Sequence, residues 1–213
     1  MLLSLSKEII ESLFLDIDKE LKKKLKGKRF SYELIIVGGA SILLNYSFRE
    51  ATIDIDCVDI NDALMNEIIN EVGDKYSLPP GWINTDFLKT DSYSPKLIQY
   101  SSFYKSYLNN TLVVRTIKDE YLIAMKIVSA RQYKNDYSDI YGIIKENKDL
   151  SLDKIIVATK ELYGSETEIN PNMMSFLNAI FKDDTISYHQ IREKEKKEKL
   201  TIIKKQKKRF SDK

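Results

Sequence analysis

Apolar side chains recur at Ile10, Leu13, Phe14, Ile17, Leu21 and Leu25, a three-and-four spacing that predicts an amphipathic helix over residues 7–25. The next run, Leu34-Ile35-Ile36-Val37, is short and largely β-branched, and it stops at Gly38-Gly39. It reads as a buried strand leaving into a tight turn, with a helix from Ala40 to Tyr46 beyond. From Thr52 to Val58 the pattern alternates. Alternation predicts a strand with Ile53, Ile55 and Cys57 on its core face and Thr52, Asp54 and Asp56 on the other. Asn61 or Asp62 is placed to cap a helix carrying Leu64, Ile68, Ile69 and Val72. Leu78-Pro79-Pro80-Gly81-Trp82 reads as a loop, and residues 96–117 read as two strands joined near Asn109-Asn110. From Asp119 the pattern is helical, with helices expected near 119–132, 136–147, 151–163, 172–182 and 187–209.

That order predicts an α+β fold: a small mixed sheet flanked by helices, followed by a helical C-terminal half. The expected divisions are an α/β domain over 1–118, a helical domain over 119–190 that completes the site, and a basic C-terminal helix or tail over 191–213.

Of the 213 residues, 43% are hydrophobic and 31% charged, enough apolar material for a core and too mixed a charge for a wholly disordered chain. A single cysteine, Cys57, rules out a disulfide framework and a cysteine-rich zinc site. The lone His189 rules out a His-rich metal site and is given no role. The longest uncharged run, between Glu33 and Arg49, is too short to cross a bilayer and is broken by two glycines. The first eight residues lack the basic start and long apolar stretch of a signal peptide, so a cytoplasmic protein without membrane partners is expected. Charge is lopsided. Residues 192–213 hold eleven basic and four acidic side chains, against 23 and 28 in the rest of the chain. A basic arm on an acidic body suits contact with a polyanion.

Two features carry candidate chemistry. Gly38-Gly39, at a strand-to-helix turn, offers backbone N–H groups with no side chain to block a phosphate. Asp54-Ile55-Asp56, on the following strand, places two carboxylates on one face. Like charges so close become favourable with a divalent cation between them, and Mg²⁺ takes one or two carboxylates together with substrate phosphates. A phosphate cradle beside metal-binding acids is the equipment for phosphoryl or nucleotidyl transfer. By the same alternation Cys57 faces the core and is no nucleophile. Tyr100, Tyr104 and Tyr107 have the chemistry to stack a base, but strand aromatics more often pack against their neighbours.

Glycines, a short helix and then D-x-D on a strand resemble the signature of the nucleotidyltransferase superfamily. Val37-Gly38-Gly39-Ala40-Ser41 with Arg49-Glu50-Ala51-Thr52-Ile53-Asp54-Ile55-Asp56 is similar in particular to the abortive-infection (AbiEii-like) members, many of them toxins of toxin–antitoxin pairs. One more residue separates Arg49 from Thr52 here than in their R-x-T-x-D-x-D. Downstream, Lys126 and Arg131 on one helix and Asn135-Asp136 with Asp139 beyond match the later motif, with Asn135 where an arginine is usual.

The resemblance implies a sheet of the nucleotidyltransferase type and a Mg²⁺-dependent enzyme moving a nucleoside monophosphate from NTP to an RNA, for instance tRNA, or to a protein acceptor. Gly38, Gly39, Ser41, Arg49, Thr52 and Arg131 would bind the nucleotide. Asp54 and Asp56 would hold the metal, Lys126 would neutralise phosphate charge, and Asp136 would assist metal binding or act as base. An antitoxin protein is an implied partner. Polymerase-like members carry a third strand carboxylate, and Val113-Val114-Arg115-Thr116 supplies none, leaving Asp86, Asp91 and Asp119 as candidates. The alternative is a catalytically weak binding module of the same fold, acting through a protein or RNA partner.

Overall fold

The computed structural model describes residues 4–26, 28, 30–58, 60, 62–131, 134–182 and 186–211. The chain divides into two compact units, Met1–Lys118 and Asp119–Lys213.

The first unit opens with α1 (Lys7–Leu25), whose N-cap Ser6 accepts a hydrogen bond from the Ile9 amide. Its apolar face, Ile10, Leu13, Phe14, Ile17 and Leu21, is fully enclosed, each side chain contributing about 1.5–3 kcal/mol. The sheet that it covers is β1 (Tyr32–Ile36), β5 (Leu112–Ile117) and β4 (Ser101–Tyr107) in that order, β1 parallel and β4 antiparallel to β5. Short β2 (Ile55–Asp56) and β3 (Ile83–Asn84) pair in parallel. An antiparallel bridge between Ile36 and Cys57 ties β2 to β1, with Val37 N donating to Asp56 O at 2.9 Å and Val58 N to Ile35 O at 3.0 Å. The expected mixed sheet is therefore present, and the D-x-D segment runs beside the strand that ends in the glycines.

Two helices complete this unit. α2 (Gly38–Asn45) takes in both glycines, and α3 (Ala63–Lys75) is capped by Asp62, whose carboxylate accepts from Met65 N. Asn61, the other expected cap, lies outside the described residues. Tyr104 donates to Glu11 at 2.6 Å and Tyr107 packs edge-on against Phe14, so these two tyrosines hold α1.

One expectation for the D-x-D strand is corrected. Ile53 is 59% exposed and Thr52 is buried, the reverse of the predicted alternation. Thr52 exchanges two backbone hydrogen bonds with Leu5, and the chain bends at Ile53 before regular pairing begins at Ile55. Strict alternation holds only from Asp54 to Cys57.

The second unit is helical: α4 (Asp119–Ser129), α5 (Asp136–Glu146), α6 (Leu152–Tyr163), α7 (Pro171–Phe181) and α8 (Tyr188–Ser211). α4 packs on α5 and α6, and α5 on α8. α8 is more than a tail, because Ile191 and Glu195 are buried against α5, whereas Leu200 and Ile203 are exposed. No helix among the described residues is long and apolar enough to cross a membrane.

Candidate active site

β1 delivers the chain to Val37, which is extended, and the backbone then turns through Gly38 at φ +62° into α2. Side chains rarely adopt that left-handed conformation, so the turn needs glycine. The neighbourhood needs it too: a Cβ on Gly38 would stand 3.1 Å from Asp56 Oδ2. Because β2 runs antiparallel to β1, the second carboxylate of D-x-D comes to rest against the first glycine. Val37 gives no side-chain cap to the helix, so the first-turn N–H groups of α2 face the turn without one.

Gly39 has a different reason. A Cβ there would lie 2.7 Å from Cζ and 3.2 Å from Nη1 of Arg49, so the guanidinium rests on the bare α-carbon. The extra residue between Arg49 and Thr52 has not moved the arginine away from the turn. Positive charge from the helix N-terminus and the guanidinium thus faces negative charge from Asp56, across two residues without side chains.

Of the other residues singled out in this unit, Asp54 is half-buried two positions before Asp56, and Thr52 is enclosed beneath the strand. Ser41 is fully buried inside α2, its Oγ without a hydrogen-bond partner among the described residues, so it does not stand on the surface of the turn. Burial together with the Asp56 charge pushes the Cys57 thiol far up, as fits a core residue.

Asp54 and Asp56 suit Mg²⁺ by donor chemistry. Both are hard oxygen ligands, and no group of three or more His, Cys, Asp or Glu side chains able to hold a metal occurs among the described residues. Two carboxylates are too few for an all-protein cage, but they are what Mg²⁺ takes when phosphate oxygens and water complete its shell. Among the acids considered for a third position, Asp86 pairs with Lys89 and Asp119 accepts from Asn147.

In the second unit Lys126, on α4, is only 7% exposed. Its Nζ lies 3.1 Å from Asp136 Oδ1 and 2.7 Å from Asp139 Oδ2. Asp136 Oδ2 accepts in turn from Arg131 Nε and the Arg131 amide, each at 3.1 Å, and from Ser129 Oγ at 2.9 Å. Burial alone would raise the Asp136 carboxyl, but the Lys126 and Arg131 charges, with hydrogen bonds from Arg131 and Ser129, outweigh it and hold it at about 2. The expected phosphate lysine and the expected base therefore sit in one saturated ion-pair network.

Glu195 was not singled out by sequence reading. From α8 it accepts from Tyr137 N and Ser138 N, each at 3.1 Å, and from Ser138 Oγ at 2.7 Å, so it caps the first turn of α5. The available signal was the i, i+4 spacing of Ile191 and Glu195 on one helix face. Asn135, where an arginine was expected, accepts a hydrogen bond from Arg192 of the same helix.

No curated protein and no solved structure matches the chain. Residues 12–196 match the family described as "Nucleotidyltransferase of unknown function (DUF6036)". The match carries the nucleotidyltransferase superfamily and does not reach the abortive-infection branch. On a match that spans both glycines, the D-x-D segment and the Lys126–Asp136 network, the chain belongs to this nucleotidyltransferase family.

Proposed function

We propose that the protein is a Mg²⁺-dependent nucleotidyltransferase that moves a nucleoside monophosphate from NTP to an acceptor hydroxyl, on RNA or protein. The observation that carries this reading is the contact of the Gly38-Gly39 turn with Asp56 on one side and Arg49 on the other. In this reading the α2 amides and the guanidinium bind and orient the triphosphate, and Asp54 and Asp56 hold the metal. The bound ion supplies charge neutralisation at the phosphate oxygens and the leaving pyrophosphate. The buried network of Lys126, Arg131, Asp136 and Asp139 serves as a positioning element of the helical unit. The abortive-infection resemblance adds the role of toxin, neutralised by an antitoxin protein.

The decisive experiment incubates the protein with Mg²⁺, each labelled NTP and total tRNA or cell lysate. Label transfer is expected, abolished by EDTA and reduced at least about a hundredfold in Asp54→Ala and Asp56→Ala. Transfer in excess EDTA, or full activity in both variants, overturns the reading. A second reading, a nucleotide-binding module without turnover, is favoured by β5, which carries Arg115 and no acid. Bound NTP with no transfer to any acceptor would select it.

A further inference from the structure

α5, α7 and α8 enclose a cleft of about 510 Å³ within the helical unit, in the range of small-ligand sites. Tyr137 and Phe176 stand in its wall, edge to face at 5.0 Å and each partly exposed. Asn172 and Gln190 bring exposed carboxamides, Glu198 a carboxylate, and Lys194 an exposed ammonium. Beyond Lys194, α8 continues the same face with Lys197, Thr201, Lys204 and Lys205, all exposed, at helical spacings of three and four.

We propose that this cleft takes a base of a single-stranded polynucleotide whose backbone runs along the lysines of α8. Each part has a chemical counterpart in that ligand. A base offers a flat face to Phe176 or Tyr137, and hydrogen-bonding edges to the carboxamides. A carboxylate in the lining favours bases with an exocyclic amino group, adenine, cytosine or guanine, over uracil, because it accepts and cannot donate. The phosphates remain outside, where Lys194, Lys197, Lys204 and Lys205 neutralise them and release counterions. A duplex keeps its bases stacked and has none to insert. An acidic peptide would satisfy the lysines, but it has no use for the aromatic wall beside a carboxylate. The inference rests on the proposed enzyme only in making this strand the acceptor; binding itself needs neither NTP nor metal.

Fluorescence anisotropy of the full chain, without NTP or Mg²⁺, tests it with labelled ten-nucleotide A, C and U strands as RNA and as DNA, a hairpin duplex, and a polyglutamate peptide. Binding of the A or C strand above the U strand and the duplex is expected, with affinity falling steeply as salt rises. Phe176→Leu keeps an apolar side chain there and removes the ring; it should weaken binding about tenfold at an unchanged salt slope. Lys197→Gln with Lys204→Gln should lower the slope by about 0.7 for each phosphate that is no longer neutralised. Equal binding of duplex or polyglutamate, or wild-type affinity in Phe176→Leu with wild-type melting, overturns the proposal. Asp56→Ala must bind these strands as the wild type does. A chain that binds strands but transfers no label removes the enzymatic reading alone, and one that transfers label without binding strands removes this one.

Discussion

The Arg49 guanidinium lies against the α-carbon of Gly39, so close that a methyl group there would stand 2.7 Å from its Cζ. Nine residues of chain lie between the two. The contact fixes a positive charge over the first turn of α2, beside the carboxylate that meets Gly38. The two glycines thus serve different needs: Gly38 at φ +62° supplies a backbone conformation, and Gly39 supplies space for an arginine.

Gly38→Ala and Gly39→Ala should separate these needs. The first should cost about 1–2 kcal/mol of stability, because a side chain enters the left-handed region beside Asp56. The second sits in helix, where alanine is favoured by about 1 kcal/mol, so its melting temperature should hold or fall only slightly while NTP affinity drops as Arg49 is displaced. Thermal melting and nucleotide titration on both variants decide it, and undiminished NTP affinity in Gly39→Ala would detach Arg49 from the phosphate role.

Acid should find the helical unit through Asp136. Its carboxyl is held at about 2, below the ordinary 3.8, so its stabilising contribution is complete above the ordinary value and disappears as pH falls through about 2. The shift corresponds to about 2 kcal/mol. Asp136→Asn should cost about 3–5 kcal/mol at pH 7, since it breaks a buried pair and leaves Lys126 and Arg131 undercompensated, and it should flatten the acid limb. Denaturant titrations between pH 2 and 7 provide the comparison; superimposable wild-type and variant curves would refute the network's contribution.

Glu195 leads to a test with opposite sign. Burial raises its carboxyl above the usual carboxylate range despite the bonds from Ser138, so the folded state holds that proton more tightly than the unfolded one does. Its contribution is greatest when protonated and declines as pH rises through the raised value. Glu195→Gln keeps an acceptor for Tyr137 N and Ser138 N and should be neutral or stabilising at pH 7. Glu195→Ala removes the cap and should cost about 1–2 kcal/mol. Equal melting temperatures for the two variants would argue against a capping role.

Gly73 lies under the buried indole of Trp82, and a Cβ there would be 2.7 Å from Nε1. Trp82 also donates to Ile69 O at 3.1 Å, which keeps the ring from sliding aside freely. Gly73→Ala, ordinarily favourable inside a helix, should here cost about 1–3 kcal/mol by overpacking. Trp82 is the sole tryptophan, so a shifted emission maximum should accompany the loss, and an unchanged spectrum with raised stability would contradict the contact.

Sequence by itself determined the elements whose signal is local. α1 follows from Ile10, Leu13, Phe14, Ile17 and Leu21, and the helices after Asp119 from the same helical pattern, because one helix face repeats every three to four residues whatever it packs against. The D-x-D alternation was legible from Asp54 to Cys57. It failed at Ile53, because pairing with Leu5 some 47 residues away, and not the local pattern, decides which way Thr52 points. β3 has two residues and no period to read; it exists because Ile55 and Asp56 lie beside it. The glycine turn and the carboxylates could be named from sequence, yet only antiparallel pairing of β2 with β1 puts Asp56 against Gly38, and only the path of the chain after α2 brings Arg49 onto Gly39. In the same way Lys126 and Asp136 were readable as a charge and an acid, but their burial with Asp139 and Arg131, and the arrival of Glu195 on α5, depend on helix packing. Residue types and periods are properties of short segments, whereas burial, charge pairing and cradle geometry arise between segments distant in the chain, and folding alone brings those together.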